Sequence, residues 1–125
     1  MAQDAGGIMN IYIGLVLVSM DETGDKFVAS NEARNISVPV EELEGDLLCS
    51  RRELLDKITD LDPAWVNLHL LTVTESKETY DLYIWYYGII PRDVTLNSGY
   101  WWQDSDSYHD DEIYRQPVLE AIAKI

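Results

Sequence analysis

Between Ile8 and Ser19 the chain is β-branched or aliphatic on both alternating faces, with Ile11, Ile13, Leu15 and Leu17 on one side and Tyr12, Val16 and Val18 on the other. A strand with one solvated face alternates apolar with polar residues, so apolar character on both sides predicts a strand covered above and below. Such a strand demands a layered fold with a sheet in the middle. The run Ile11 to Val18 is interrupted by Gly14 and is too short to span a bilayer, so no membrane association is expected from it.

The segments that follow supply the layers. Asp21 to Asp25, with Gly24 among them, has the polar composition of a hairpin loop, and Lys26 to Ser30 returns as a short strand. After a polar stretch and Val38-Pro39-Val40, Asp46 is placed to cap a helix that carries Leu47, Leu48, Leu54, Leu55, Ile58 and Leu61 on one side. Asp62-Pro63 closes that pattern. Two β-rich segments come next, Trp65 to Thr74 and Thr79 to Ile90, the second rich in tyrosine and tryptophan and closed by Pro91. A turn at Asn97-Ser98-Gly99 leads to a short strand at Tyr100-Trp101-Trp102, an acidic loop from Asp104 to Asp111, and a closing helix with Pro117 in its first turn. The order predicts an α+β domain, a mixed β-sheet flanked by helices.

With 125 residues the chain reads as one domain over residues 8–125, preceded by a small-residue, mobile extension at 1–7 that has Asp4 and no basic residue, unlike a signal peptide. Asp and Glu number 23 against nine Lys and Arg, a formal net charge of -14. A field of that sign repels phosphate backbones, so direct nucleic-acid binding is not expected; the acidity reads either as a solubility adaptation or as a surface that attracts a basic protein partner or metal ions, and composition does not separate the two. Cys49 is the one cysteine, which excludes an internal disulfide and fits a reducing, cytoplasmic location.

The stretch Glu44-Gly45-Asp46-Leu47-Leu48-Cys49-Ser50-Arg51-Arg52-Glu53-Leu54-Leu55-Asp56-Lys57-Ile58 carries the chemistry. It resembles the Nudix box, whose pattern is a glycine, five residues, a glutamate, seven residues, then Arg-Glu-aliphatic-x-Glu-Glu-x-Gly-aliphatic. Glu44 stands at the spacing of the first glutamate before Arg52, Glu53 and Leu54 complete the Arg-Glu-aliphatic unit, and Asp56 matches the next acid conservatively. Lys57 replaces the second acid of the pair, while Val38 and Thr59 stand at the two glycine positions. The resemblance covers most of the chain in element order and implies a divergent Nudix-like domain. It further implies, if the site is active, hydrolysis of the diphosphate linkage in a nucleoside-diphosphate derivative with Mg²⁺ or Mn²⁺. Glu44, Glu53 and Asp56 would then hold metal, Glu53 would orient or deprotonate water, and Arg52 would brace the loop. Carboxylates three and four residues apart share a helix face, which suits hard cations with oxygen ligands. A cation at Lys57 repels such ions but can contact a substrate phosphate.

Each of these residues also has a plain structural reading. Glu53 and Lys57 form a favourable i,i+4 pair on a solvated helix. Trp101 and Trp102, with Tyr100, are candidates to stack on a base and equally to cap the core or form an interface. His69 is read as sheet packing, His109 as surface, Cys49 as a buried helix residue, and the late acidic loop as a solvated one. The alternative to an enzyme is therefore an acidic, non-catalytic interaction domain on the same scaffold, with mimicry of DNA as a narrower version. Composition leaves the oligomeric state open.

Overall fold

The computed structural model describes residues 10–32, 36–106 and 112–125. It is an α+β structure in which a six-stranded mixed sheet lies between two helices, as the element order predicts. The strands are β1 (Ile11–Met20), β2 (Lys26–Ser30), β3 (Val40–Glu42), β4 (His69–Glu75), β5 (Leu82–Ile89) and β6 (Trp101–Asp104); the helices are α1 (Leu47–Ile58) and α2 (Glu112–Ile122). Met1–Gly7, expected to be a mobile extension, lies outside the described residues, as does His109. Among the described residues no helix is long and apolar enough to cross a membrane.

The doubly apolar strand occupies the centre. From Ile13 to Ser19 every residue of β1 is buried. One edge pairs in parallel with β5 from Ile11↔Leu82 to Val18↔Ile89. The other edge is shared: β2 takes its end through Val18↔Val28, and β3 takes its beginning through Tyr12↔Glu42 and Gly14↔Val40, both antiparallel. Antiparallel β4 and β6 complete the order β4-β5-β1-β2-β6. Strand β3 was not expected, because three residues inside a polar stretch carry no alternation long enough to read.

Successive residues of β1 point to opposite faces, and each face has its own core. Ile13, Leu15 and Leu17 meet Leu54, Leu55 and Ile58 of α1 on one side. Val16 and Val18 meet Val118 and Ala121 of α2 on the other, together with Trp85 and Val38. Each of these large aliphatic side chains contributes roughly 1.5–3 kcal/mol by leaving water.

The sequence reading also needs correction along α1, ahead of β4 and in α2. Leu47 and Leu48 precede the packed part of α1 and are exposed, outside the core that Leu54, Leu55 and Ile58 join. Cys49, expected to be buried, is exposed on that same turn. The helix stops at Ile58, short of Asp62-Pro63; Thr59 adopts an extended conformation and Pro63–Trp65 forms a 3₁₀ turn, leaving Trp65 exposed before β4 begins. Pro117 lies inside α2 rather than in its first turn. Asp104 and Asp106 fall in β6 and the turn after it, whereas residues 107–111 of the acidic segment are outside the described residues.

Candidate functional site

Helix α1 is held at both ends by residues that also define the site. Gly45 has φ +79, a conformation that costs a side-chain-bearing residue strain, and it turns the chain from β3 into the helix. Asp46 then caps the helix, accepting a hydrogen bond of 2.7 Å from the Cys49 amide. That bond favours the charged carboxylate and lowers the Asp46 pKa. The same acid hydrogen-bonds the Cys49 thiol and raises its pKa, so the helix terminus does not activate this cysteine. At the other end Asn97 donates its side-chain amide to the carbonyls of Asp56 (3.0 Å) and Lys57 (3.2 Å), and its backbone N–H donates to Ile58 (2.7 Å). Orphan carbonyls of a last turn need such partners.

Glu53, Asp56 and Arg52 are exposed on the outward side of α1, and Glu44 is exposed in the loop ahead of it. The Glu44 backbone carbonyl, rather than its carboxylate, is engaged, accepting from the Ser50 hydroxyl at 3.2 Å. Lys57 does not make its ion pair with Glu53. Its ammonium donates to both carboxylate oxygens of Glu41 on β3, at 2.6 and 2.7 Å. Hydrogen bonding to Glu41 is the main reason its pKa is raised, with the charges of Glu41, Tyr100 and Glu53 adding to it. Among the described residues no three His, Cys, Asp or Glu side chains are gathered as a metal-holding group. A tethered monovalent cation lies where the box would add a carboxylate, so the donor set does not fit a preformed Mg²⁺ or Mn²⁺ centre. Val38 and Thr59, at the glycine positions of the pattern, are buried and packed. The Thr59 hydroxyl accepts from the Leu61 amide and donates to the Thr95 carbonyl, which adds to the ties between the end of α1 and the segment before β6.

The aromatic residues of β6 divide between roles. Trp102, paired with Ala29, is half-buried against the α1 core and donates its indole N–H to Val94 at 3.2 Å. Trp101 is its neighbour in the strand and 48% exposed. Adjacent strand residues face opposite sides, so the two indoles do not form one stacking platform. Both border an open cavity of about 450 Å³, with Arg92, Val94, Leu96 and Tyr100. The Arg92 guanidinium lies over Phe27 at 4.6 Å and Trp102 at 5.8 Å from the ring centroids. Sequence reasoning missed Glu41 and Arg92. Glu41 meets α1 across 16 positions, through a strand too short to be recognised; Arg92 had only its place after Pro91 to mark it.

A central parallel pair of strands, antiparallel neighbours on both sides and a helix on each face define a Nudix-like fold. Comparison with solved structures agrees. A MutT/nudix family protein from Enterococcus faecalis superposes with a TM-score of 0.59 at 9% identity, covering 83% of this chain and 47% of that one. A NUDIX hydrolase from Nitrosomonas europaea gives 0.52 at 12% identity, covering 94% and 90% respectively. A Sinorhizobium meliloti 1021 protein described as a candidate oxidoreductase gives 0.58 at 18% identity, covering 90% and 39%. The chain spans less than half the length of the first and third of these. No protein-family model matches it, and no curated protein matches it by sequence. At such identities the likeness is one of fold.

Proposed function

We propose that this chain is a non-catalytic, acidic interaction domain on a Nudix-like scaffold, and that its partner is a basic protein. The observation that carries this reading is the Lys57–Glu41 ion pair, which puts a fixed positive charge on the helix face where the box-bearing fold would concentrate negative charge. With a net charge of -14, the domain attracts cationic surfaces and accelerates encounter with them.

A second reading, weak diphosphate hydrolysis of a nucleotide derivative, is supported by the shared exposure of Glu53 and Asp56 on α1. In that case Lys57 contacts a substrate phosphate and the β6 cavity, with Trp101 and Trp102 at its border, receives the base. A screen of nucleotide sugars, dinucleotides and nucleoside triphosphates with Mg²⁺ or Mn²⁺ separates the two. The proposal expects the parent to turn over no faster than a Glu53→Gln control. Metal-dependent turnover that disappears in Glu53→Gln sinks the interaction-domain reading and establishes the second.

A further inference from the structure

Helix α1 leaves part of its own side of the sheet bare. It packs over Ile13, Leu15 and Leu17 of β1, and β5 and β4 lie beyond that strand in the order β4-β5-β1. Paired residues of neighbouring strands face the same way. The pairs Ile11↔Leu82, Ile13↔Ile84, Val73↔Ile84 and Leu70↔Tyr86 therefore put Leu70, Val73, Leu82 and Ile84 on the side of α1. Leu70 is 60% exposed, Val73 52% and Ile11 38%, whereas Leu82 and Ile84 are half-buried. Strands β1 and β4 stand two strand spacings apart, about 10 Å. Helices pack side by side at about 8–10 Å, so the bare strip has the width of one more helix next to α1.

Two observations say what fits there. The register of β4 shifts between Leu70 and Thr72, and a bulge interrupts the regular edge that an added strand needs, which favours a helix laid on the face over a strand joined to the rim. Acids stand where the strip ends. Glu75 pairs with Leu82 and shares its face. Glu44 and Asp46 are exposed just ahead of α1, in a segment tied to this end of β1 by the Leu43 amide, which donates to the Ile11 carbonyl at 2.8 Å. Arg51, on the same side, is engaged over the Tyr86 ring, 5.2 Å from its centroid. We infer that this strip docks a basic amphipathic helix of another protein, with apolar residues on Leu70, Val73 and Ile84 and with Lys or Arg toward Glu75 and Glu44. The inference names the surface and the kind of partner for the interaction domain proposed above, and it rests on that reading. A second copy of this chain is a poor occupant, because two domains of net charge -14 repel each other. Apolar burial holds the helix and the acids steer its approach.

The test titrates the full chain with a synthetic Leu/Lys peptide whose leucines recur at helical spacing, and with a peptide of the same composition shuffled to abolish the apolar face. The parent should bind the amphipathic peptide at least about tenfold more tightly than the shuffled one, and Leu70→Ser combined with Val73→Ser should remove that advantage. Met20→Ser and Leu119→Ser, at exposed apolar positions elsewhere, should bind as the parent does. Amide shifts of the parent on peptide addition, expected at β4 and β5, give the answer without any variant. Equal affinity for the two peptides, no binding of either, or shifts confined to other elements would overturn the inference. So would sedimentation of the parent as a dimer that the double serine variant dissociates, since a second copy would then hold the strip. Failure of the interaction-domain reading is seen separately, as metal-dependent turnover lost in Glu53→Gln; without turnover, binding that maps elsewhere removes this surface and leaves that reading standing.

Discussion

Gly14 offers the sharpest test of how the sheet is packed. It lies at the middle of β1, directly beside Trp85 of β5, and the fully buried indole lies across the space where a side chain would be. A methyl group added at Gly14 would overlap Cζ3 and Cε3 of Trp85 and stand 3.1 Å from Cη2. Alanine has no backbone objection there, because the Gly14 φ is outside the left-handed region; the cost is steric alone. The ring cannot easily yield. Its Nε1–H donates to Thr74 at 2.8 Å, and Tyr83 stacks and Tyr114 packs edge-on against it. Overpacking of a tight core costs about 1–3 kcal/mol, and loss of the Thr74 bond adds about 1 kcal/mol. Gly14→Ala should therefore cost about 2–4 kcal/mol, a large part of the ~5–15 kcal/mol typical of a domain. For a chain of this size that is a fall in Tm of roughly 6–16 °C. Circular dichroism melts and urea titrations of Gly14→Ala, Trp85→Leu and the double variant measure it. In the Trp85→Leu background the alanine should be nearly neutral. Additive losses would refute the steric account.

Three further measurements follow from the description of α1. Leu55→Ala should lower the urea midpoint by an amount equivalent to about 2–5 kcal/mol, because Leu55 is fully buried between α1 and the sheet, whereas Leu48→Ala, at an exposed position, should leave it nearly unchanged. Asn97→Ala removes both side-chain bonds to the end of α1 and should cost about 1–2 kcal/mol in chemical denaturation; no loss would show that water replaces those bonds. The Asp46 carboxylate has a lowered pKa in the folded state, so its contribution is present above its unfolded value, near 4, and fades as pH falls through the folded one. Thermal melts should accordingly show Asp46→Ala below the parent at pH 7 and a narrowing gap below about pH 4; a gap that is constant with pH would mean the cap acts without its charge.

The sequence carried the fold further than the site. β1 was legible because burial on both faces writes itself into seven consecutive residues, and the packed part of α1 because Leu54, Leu55 and Ile58 recur at helical spacing. What could not be read were relations between distant segments. Nothing local says that β5 pairs in parallel with β1 or that β3 occupies the front half of an edge whose rear half belongs to β2. The same holds for the site. Glu53 and Lys57 satisfy the i,i+4 rule perfectly well, yet Lys57 turns to Glu41, because a strand carboxylate at 2.6 Å offers two oxygens to one ammonium. Leu47 and Leu48 mark the opposite failure: their spacing fits the apolar stripe, but neither joins the core that the stripe's later residues form, and both are exposed.

The parallel ladder between β1 and β5 also sets a schedule for the chain's birth. Each of its residue pairs keeps the same offset, which the flanking contact between the Asn10 amide and the Asp81 carboxylate spans as 71 residues. A ribosome adding about 5–20 residues per second takes several seconds or more to supply that length. Through that interval the hairpin of β1 and β2 can form, but β1, buried from Ile13 to Ser19 in the finished fold, waits with one edge open. Closing so long a loop is slow, and nascent chains ending before Leu82 should be the ones most in need of a chaperone.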